Sequence, residues 1–287
     1  MATFFGEVVS VYSRAVEEDD EEELEEPEED EEIRRELEER REVRLQWSAD
    51  VGEMLSSGAA RLPCSHLILA VGSNAARFLS VFVLHSANWD SVGHAAFWNE
   101  MTQTASGQAG PEAGCVFYRN KDSPSVLICQ MTSYIAEDQL FQWTEKVFGC
   151  LQQRALNVTV LCDSPVAEYK SPDYVSSSSV PFLRSLQTSA CSGTGPRSGT
   201  APCPPLEQPN IVTGLPAAVL SYCQVHHIPA IAYQCYSDVI SPDSITMETY
   251  KPVLTRLGKV IQLEPLPNAD VLRKFVTAAD CRSNLYI

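Results

Sequence analysis

The sequence has few basic residues. It contains 21 Lys and Arg against 38 Asp and Glu, so the formal net charge is −17 at pH 7. Residues 17–42 hold 18 acidic and 4 basic residues and carry −14 of that charge, which leaves the rest of the chain nearly neutral. Because no basic stripe is available to displace counterions from a phosphate backbone, nucleic acid is not an expected partner.

Long apolar runs are also missing. No run approaches the ~18 apolar residues of a membrane-spanning helix, so the sequence predicts no membrane span. The start at Met1–Phe5 lacks a basic region and predicts no signal peptide. The ten cysteines include no closely spaced pair, and several stand inside apolar runs, such as Cys129 in SVLICQM and Cys162 in VTVLC. They are expected to be buried thiols of an intracellular protein.

Motifs that carry catalysis are missing as well. There is no nucleophile elbow, P-loop or zincin motif. The stretch GTGPRSG at 193–199 superficially resembles a phosphate loop, but its glycine spacing differs and Pro196 removes a backbone N–H. His226 and His227 have no second ligand pair at a metal-binding spacing. We therefore predict a binding protein rather than an enzyme, with no catalytic residue, metal or cofactor.

The chain divides into four predicted segments. These are a short apolar arm (1–16), an acidic segment (17–44), a single α/β domain (45–280) and a C-terminal tail (281–287). The acidic segment cannot bury apolar area to offset its ordering entropy and is predicted to be disordered. Within it, pairs such as Glu36 with Arg40 favour local helix over 31–44. A segment at 187–209, rich in Ser, Gly, Thr and Pro, predicts a flexible insertion within the domain.

Short β-branched runs alternate with amphipathic stretches between residues 66 and 280. Strands are predicted at 66–72, 79–85, 114–118, 125–131, 157–162 and 230–236. Helices are predicted around 140–151, over 214–227, and after Asn268 with an apolar stripe at 271–279. This alternation predicts a helix-flanked, mixed and largely parallel sheet.

Three large aromatic residues lie close together in the sequence at Trp89, Phe97 and Trp98, in a segment that resembles a surface loop leading into a helix. One interpretation is that they cap the core. The other is that they anchor a protein–protein interface, where aromatic residues are enriched.

The last three residues, Leu285, Tyr286 and Ile287, form a hydrophobic-Tyr-any ending with a free carboxylate. The polar residues 282–284 precede them as a spacer. Such a tail is suited to enter a pocket, where the apolar side chains are buried and the carboxylate pairs with a cation. The alternative is that Leu285 and Tyr286 fold back onto their own domain.

Four stretches of the sequence resemble the proteasome assembly chaperone family. They are LEQPNIVTGLPAAVLSYCQVHHIPAIAYQCYSDV (206–239), AEDQLFQWTEKVFG (136–149), PFLR (181–184) and FFGEVVS (4–10). The resemblance runs over most of the chain from about residue 60, and the Leu-Tyr-Ile ending fits it. It implies an α/β sandwich similar to nucleoside phosphorylases and peptidyl hydrolases, without their active-site residues.

The same resemblance implies a function and partners. The chain is expected to form a heterodimer with a paralogue, proteasome assembly chaperone 2, and to bind the α-ring of the 20S proteasome. There it would promote ring formation and hinder α-ring dimerisation, with the C-terminal tail entering a pocket between α-subunits. The expected location is the cytoplasm, with a pool at the endoplasmic reticulum. Two alternatives remain open: a generic adaptor that binds through the acidic segment, and a degenerate phosphorylase-like enzyme.

Overall fold

A computed structural model describes the chain over residues 28–56, 61–97, 114–171, 180–192, 202–238, 243–258 and 260–261. Its strands are β1 (Arg44–Trp47), β2 (His66–Val71), β3 (Trp89–Ala96), β4 (Cys115–Asn120), β5 (Val126–Met131), β6 (Asn157–Pro165), β7 (Phe182–Gln187) and β8 (Ala230–Ser237). Its α-helices are α1 (Glu28–Arg41), α2 (Ala49–Ser56), α3 (Ser73–Phe82), α4 (Leu140–Cys150), α5 (Ser189–Ser192), α6 (Gly214–Val225), α7 (Ser244–Thr249) and α8 (Lys251–Leu257).

The strands form one sheet in the spatial order β1-β3-β4-β5-β2-β6-β8-β7. The central strands β5, β2, β6 and β8 run parallel, and the outer pairings are antiparallel. Both β5 and β8 are buried along their whole length, as expected for strands that read as continuous apolar runs and carry helices on both faces. The predicted helix-flanked, mixed and largely parallel sheet is confirmed.

Each face of the sheet packs against its own layer of helices. On one face, α2, α4 and α6 contribute to a core that contains Trp143, Phe148 and Val219. On the other face, α3, α7 and α8 contribute Phe78, Met247 and Val253 to a second core. The nine described cysteines are free thiols and six of them are buried, as the apolar sequence around them predicts.

The strand predicted at 79–85 is wrong, because residues 73–82 form helix α3. This helix lies between the sheet and α7, and its side chains from Ala75 to Phe82 are almost all buried. The polar residues Ser73, Arg77 and Ser80 recur at helical spacing, but the stretch 79–85 holds only the last apolar turn of this helix and the residues after it, and so short an apolar run resembles a buried strand. Its one half-buried hydroxyl, Ser80, accepts a hydrogen bond from the Gln130 side chain at 2.8 Å.

The segment around Trp89 was expected to be a surface loop but forms strand β3, which pairs with β1 on one side and β4 on the other. Part of the insertion predicted at 187–209 lies outside the described residues, and its described end contacts the sheet. The backbone of Ser185 in β7 accepts from Leu206 and donates to Pro204, so the returning end of this segment pairs with the sheet. The helix predicted after Asn268 lies outside the described residues.

The chain separates into two compact units, residues 1–41 and 42–287. In the first unit, α1 covers most of the 31–44 stretch for which Glu–Arg pairs predict helix, and its side chains from Glu32 to Glu39 are exposed. The arm at 1–16 and the first part of the acidic segment lie outside the described residues. Within the described part of the chain, no helix is long and apolar enough to cross a membrane.

Candidate functional site

The predicted binding residues fall in different parts of the molecule. The tail residues Leu285, Tyr286 and Ile287 lie outside the described residues, as does Trp98. Their predicted roles therefore rest on the sequence and its resemblance to a family.

Trp89 and Phe97, the two described members of the aromatic group, do not form one cluster. They lie at opposite ends of β3, roughly 25 Å apart at the rise of an extended strand. Trp89 packs against the core that contains α3, whereas Phe97 packs against the core that contains α4. A register shift between Ser91 and Gly93 breaks the alternation that would have placed both rings on one face. Both rings are half-buried, and their role in an interface stays a prediction.

The structure brings polar side chains together at the carboxyl ends of the parallel strands. Asp163, near the end of β6, accepts hydrogen bonds at Oδ2 from the backbone N–H groups of Asn74 (2.7 Å) and Ala75 (3.3 Å). The Tyr250 hydroxyl lies 2.8 Å from Asp163 Oδ1 and 2.8 Å from the Cys162 carbonyl, and its single proton can be donated to either acceptor. One carboxylate thus links β6 to the start of α3 and to Tyr250, which lies between α7 and α8.

A second connection joins the same elements. The Asn74 side-chain oxygen accepts from the backbone N–H of Asp243 at 3.0 Å. Asp243 then caps α7, because its Oδ1 accepts from Ile245 and Thr246 at 2.9 and 3.0 Å. The loop before α7 is therefore fixed to the first turn of α3.

Burial controls the electrostatics of Asp163. It raises the pKa of the carboxyl to about 6, against the lowering effect of the hydrogen bonds from Tyr250, Ala75 and Asn74. Among the described residues, no basic side chain forms an ion pair with it. The amides at the start of α3 thus act as the main partners of a buried negative charge.

The position of this carboxylate determines whether an anionic ligand can bind at the N-terminus of α3. In open α/β sheets, anionic ligands bind at helix N-termini beyond the carboxyl ends of the strands. Here the Asp163 carboxylate accepts the hydrogen bonds that the N-terminal amides of α3 would otherwise donate to a ligand. Gly72 makes room for it, because a Cβ atom at that position would stand 2.9 Å from the Asp163 Cγ atom.

The sequence analysis missed Asp163, Asn74 and Tyr250. A signal for the first two was present, since Asp163 follows the predicted strand 157–162 directly and Asn74 follows 66–72 by two residues. Polar residues that follow parallel strands meet at one edge of the sheet. No comparable signal exists for Tyr250, which reaches the edge from a helical layer far along the chain.

A cavity of about 210 Å³ lies beside this network, on the face of the sheet that carries α4 and α6. Its walls come from the carboxyl ends of β5, β2, β6 and β8 and from the starts of α4 and α6. Among the described residues, no group of three or more His, Cys, Asp or Glu is placed to hold a metal ion.

Comparison with known proteins identifies relatives along the whole chain. The PAC1 family model, described as Proteasome assembly chaperone 4, matches residues 1–287. Proteasome assembly chaperone 1 of Danio rerio is 50% identical over 291 residues, which cover 100% of both chains. Proteasome assembly chaperone 1 of Homo sapiens is 45% identical over 296 residues, which cover 99% of both chains.

Solved structures share the fold at much lower identity. Pyrococcus furiosus PbaA, described as an archaeal homolog of proteasome-assembly chaperone, superposes with a TM-score of 0.53 at 11% identity, covering 83% of this chain and 94% of that chain. A Thermoplasma acidophilum protein of unknown function superposes with a TM-score of 0.52 at 14% identity, covering 81% and 88%. At these identities the likeness shows the fold alone.

Proposed function

This chain belongs to the proteasome assembly chaperone family, and we propose that it binds the α-ring of the 20S core particle as one half of a heterodimer. Its partner in the heterodimer is the paralogue, proteasome assembly chaperone 2. The pair promotes formation of the α-ring and hinders α-rings from dimerising off the assembly pathway. Membership of the family implies a role in proteasome assembly. The proposal adds that the chain acts as a heterodimer and that its target is the α-ring.

The observation that carries the proposal is the identity of 44–50% to chains named proteasome assembly chaperone 1, which extends over the full length of both chains. A match of this extent includes the acidic segment and the tail as well as the sheet. The archaeal neighbours add that the same layered sheet occurs in a homolog of proteasome-assembly chaperone.

We propose further that the activity is binding and not catalysis. The use of the Asp163 carboxylate inside the fold supports this, because the anion position at the start of α3 is filled by the chain itself. The cytoplasm, with a pool at the endoplasmic reticulum, is the proposed location.

The proposed contact with the α-ring is the tail Leu285–Ile287. The two side chains of Leu285 and Tyr286 enter a pocket between neighbouring α-subunits, and the terminal carboxylate pairs with a basic residue there. A charge-assisted hydrogen bond in a desolvated pocket gives such a carboxylate both energy and direction.

Removal of Leu285–Ile287 tests this proposal. We expect the truncated chain to bind purified α-subunits much more weakly, and Tyr286→Ala to reproduce most of the loss. Truncation of a buried aromatic residue at an interface costs about 2 kcal/mol or more, which is about thirtyfold in affinity. One residue added after Ile287 should also weaken binding, because it displaces the carboxylate.

The control is the melting temperature together with heterodimer formation, both of which should be unchanged by the truncation. If the tail instead packs on its own domain, truncation lowers the melting temperature and spares α-subunit binding. That result would show that the tail is not the contact with the α-ring.

A further inference from the structure

The cavity at the carboxyl ends of β5, β2, β6 and β8 is small and largely apolar. Its volume of about 210 Å³ lies below the ~300–1,000 Å³ typical of pockets for drug-sized ligands. Val71, Met131, Ile135, Leu140 and Leu215 contribute apolar walls. The space therefore suits a ligand the size of one amino-acid side chain and its adjoining backbone, and it is too small for a nucleotide.

Gln234 supplies an unpaired acceptor in the wall of this cavity. The residue is 4% exposed, and its Nε2 donates to the Ser164 hydroxyl at 2.6 Å. Its Oε1 is buried and receives no hydrogen bond from any described residue. A buried amide oxygen without a donor is rare in folded proteins, since its desolvation is not compensated, and an N–H or O–H group in the cavity would satisfy it.

The start of α6 supplies donors in the same wall. Thr213, at the N-cap position, has an extended backbone and makes no side-chain capping bond. The amides of Gly214 and Leu215 belong to the first helical turn, which has no intrahelical acceptors. Gly214, the first residue of α6, has a φ of +62° and carries no side chain, and both Gly214 and Leu215 line the cavity.

The charge of the walls selects against anions. None of the described residues that line the cavity is Lys, Arg or His, and one of them is Asp163. A carboxylate or phosphate in this space would face the buried Asp163 charge without a side-chain cation to balance it. The cavity therefore fits a neutral group that carries both a donor and an acceptor, and a peptide amide has this composition.

The surroundings of the opening indicate a macromolecular partner. Tyr134 lines the cavity and is 61% exposed, and Phe141 (57%) and Ile211 (71%) are adjacent in sequence to the lining residues Leu140 and Val212. Large exposed apolar side chains around a pocket are typical of protein interfaces.

We propose that this cavity binds one apolar residue from within a peptide segment of a partner protein. The backbone N–H of that residue donates to Gln234 Oε1, its carbonyl oxygen accepts from the first-turn amides of α6, and its side chain occupies the apolar end. The identity of the partner as a proteasome assembly component rests on the proposed function, whereas the chemistry of the cavity does not.

A neutral amino-acid amide tests the chemistry. The full chain, co-expressed with its paralogue, is labelled with ¹³C at the methionine methyl groups, and N-acetyl-leucine amide is titrated against it. Met131 lines the cavity, so its methyl signal should shift in a saturable way, while the signals of Met54 and Met247 stay in place. N-acetyl-leucine, with its free carboxylate, should bind at least tenfold more weakly.

Two variants distinguish a specific binding site from a cavity that binds nothing. Gln234→Leu removes the acceptor and should weaken amide binding at least tenfold, and Val212→Trp should abolish it by filling the half-buried wall. If the Met131 signal is unmoved by the amide, or if amide and carboxylate bind equally, the proposal is overturned. Loss of the tail Leu285–Ile287 should not change this titration. The binding of the tail to the α-ring and the binding of the amide in the cavity are therefore tested independently.

A crosslinking experiment tests the source of the ligand. A photoreactive phenylalanine analogue at Ile211, beside the opening, should form an adduct with an α-subunit when the heterodimer is mixed with purified α-subunits. The matched control is the same analogue at Val225, which is equally exposed (72%) but lies at the other end of α6. If the amide binds but no α-subunit is crosslinked from position 211 above the level seen from 225, the proposal that an α-subunit supplies the peptide is wrong.

Discussion

The backbone of Gly72 lies directly against the carboxylate of Asp163, and this contact joins the end of β2 to the end of β6. Gly72 has a φ of +104°, in the region that side-chain-bearing residues rarely adopt. The carboxylate has no freedom to move aside, because Asn74, Ala75 and Tyr250 hold its two oxygen atoms. The glycine and the aspartate are therefore coupled, and a change at either one disturbs the start of α3.

Replacement of Gly72 by Ala should destabilise the protein by about 3 kcal/mol, because the methyl group adds backbone strain to an overlap with Asp163. Gly52→Ala is the matched control, since Gly52 lies inside α2 with no atom within 4 Å of its Cβ position. That substitution should stabilise the protein by about 0.5–1 kcal/mol. Urea unfolding measures both changes. A Gly72→Ala variant as stable as the original chain would contradict the coupling.

The raised pKa of Asp163 predicts a specific dependence of stability on pH. The folded protein holds this proton up to about pH 6, whereas an unfolded aspartate releases it near its ordinary pKa of 3.8. The contribution of Asp163 to stability is therefore fully present below about pH 4 and is lost as the pH rises to about 6. At ~1.4 kcal/mol per pKa unit, this loss is at most about 3 kcal/mol.

Asp163→Asn removes the titrating group and keeps a side chain of the same shape, which can donate to Tyr250 and accept from the α3 amides. Its free energy of unfolding, relative to the original chain, should rise between pH 4 and pH 6 and stay constant above about pH 7. Asp122→Asn, an exposed site, controls for the loss of one charge. Parallel stability curves for the original and the Asp163→Asn chains would show that this carboxyl does not titrate differently on folding.

The acidic segment should be dispensable for the stability of the folded unit that begins at Glu42. Deletion of 17–32 should leave the melting temperature within about a degree, because a segment composed almost entirely of acidic residues has little apolar surface to bury. Deletion of 17–43 should lower it by several degrees. Val43 is fully buried, its N–H donates to the Gln142 side chain at 2.7 Å, and its carbonyl accepts from Lys146 at 2.8 Å. If both deletions change the melting temperature equally, the folded unit does not begin at Glu42.

The chain expressed alone should aggregate or unfold more readily than the chain co-expressed with its paralogue. The half-buried aromatic side chains of Trp89 and Phe97 are suited to an interface, and an obligate heterodimer of this kind is expected to bury more than ~2,000 Å². Size-exclusion chromatography of both preparations provides the measurement. A stable, monodisperse monomer with no affinity for the paralogue would refute the heterodimer.

Elements whose pattern has a clear period or an uninterrupted apolar run are predictable from the sequence alone. Helix α4 was predicted because Leu140, Trp143 and Val147 recur at helical spacing on one face. The central parallel strands were predicted because burial on both faces makes them continuous apolar runs. The layered α/β architecture follows from their alternation with helices, and the family follows from stretches of sequence that match it.

The remaining features depend on how distant parts of the chain pack together. Residues 79–82 are helical because they form the last turn of α3, which packs between the sheet and α7, and an apolar run this short does not by itself distinguish a helix from a strand. The meeting of Gly72, Asp163 and Tyr250 depends on three segments far apart in the chain, whose contact arises from the order of the strands. The bulge that separates Trp89 from Phe97 depends on how β3 pairs with β4. Periodicity depends on the environment of single elements, whereas a site at a sheet edge is created by the arrangement of several elements. The polar residues after two predicted strands indicate Asp163 and Asn74, but no local pattern indicates that Tyr250 joins them.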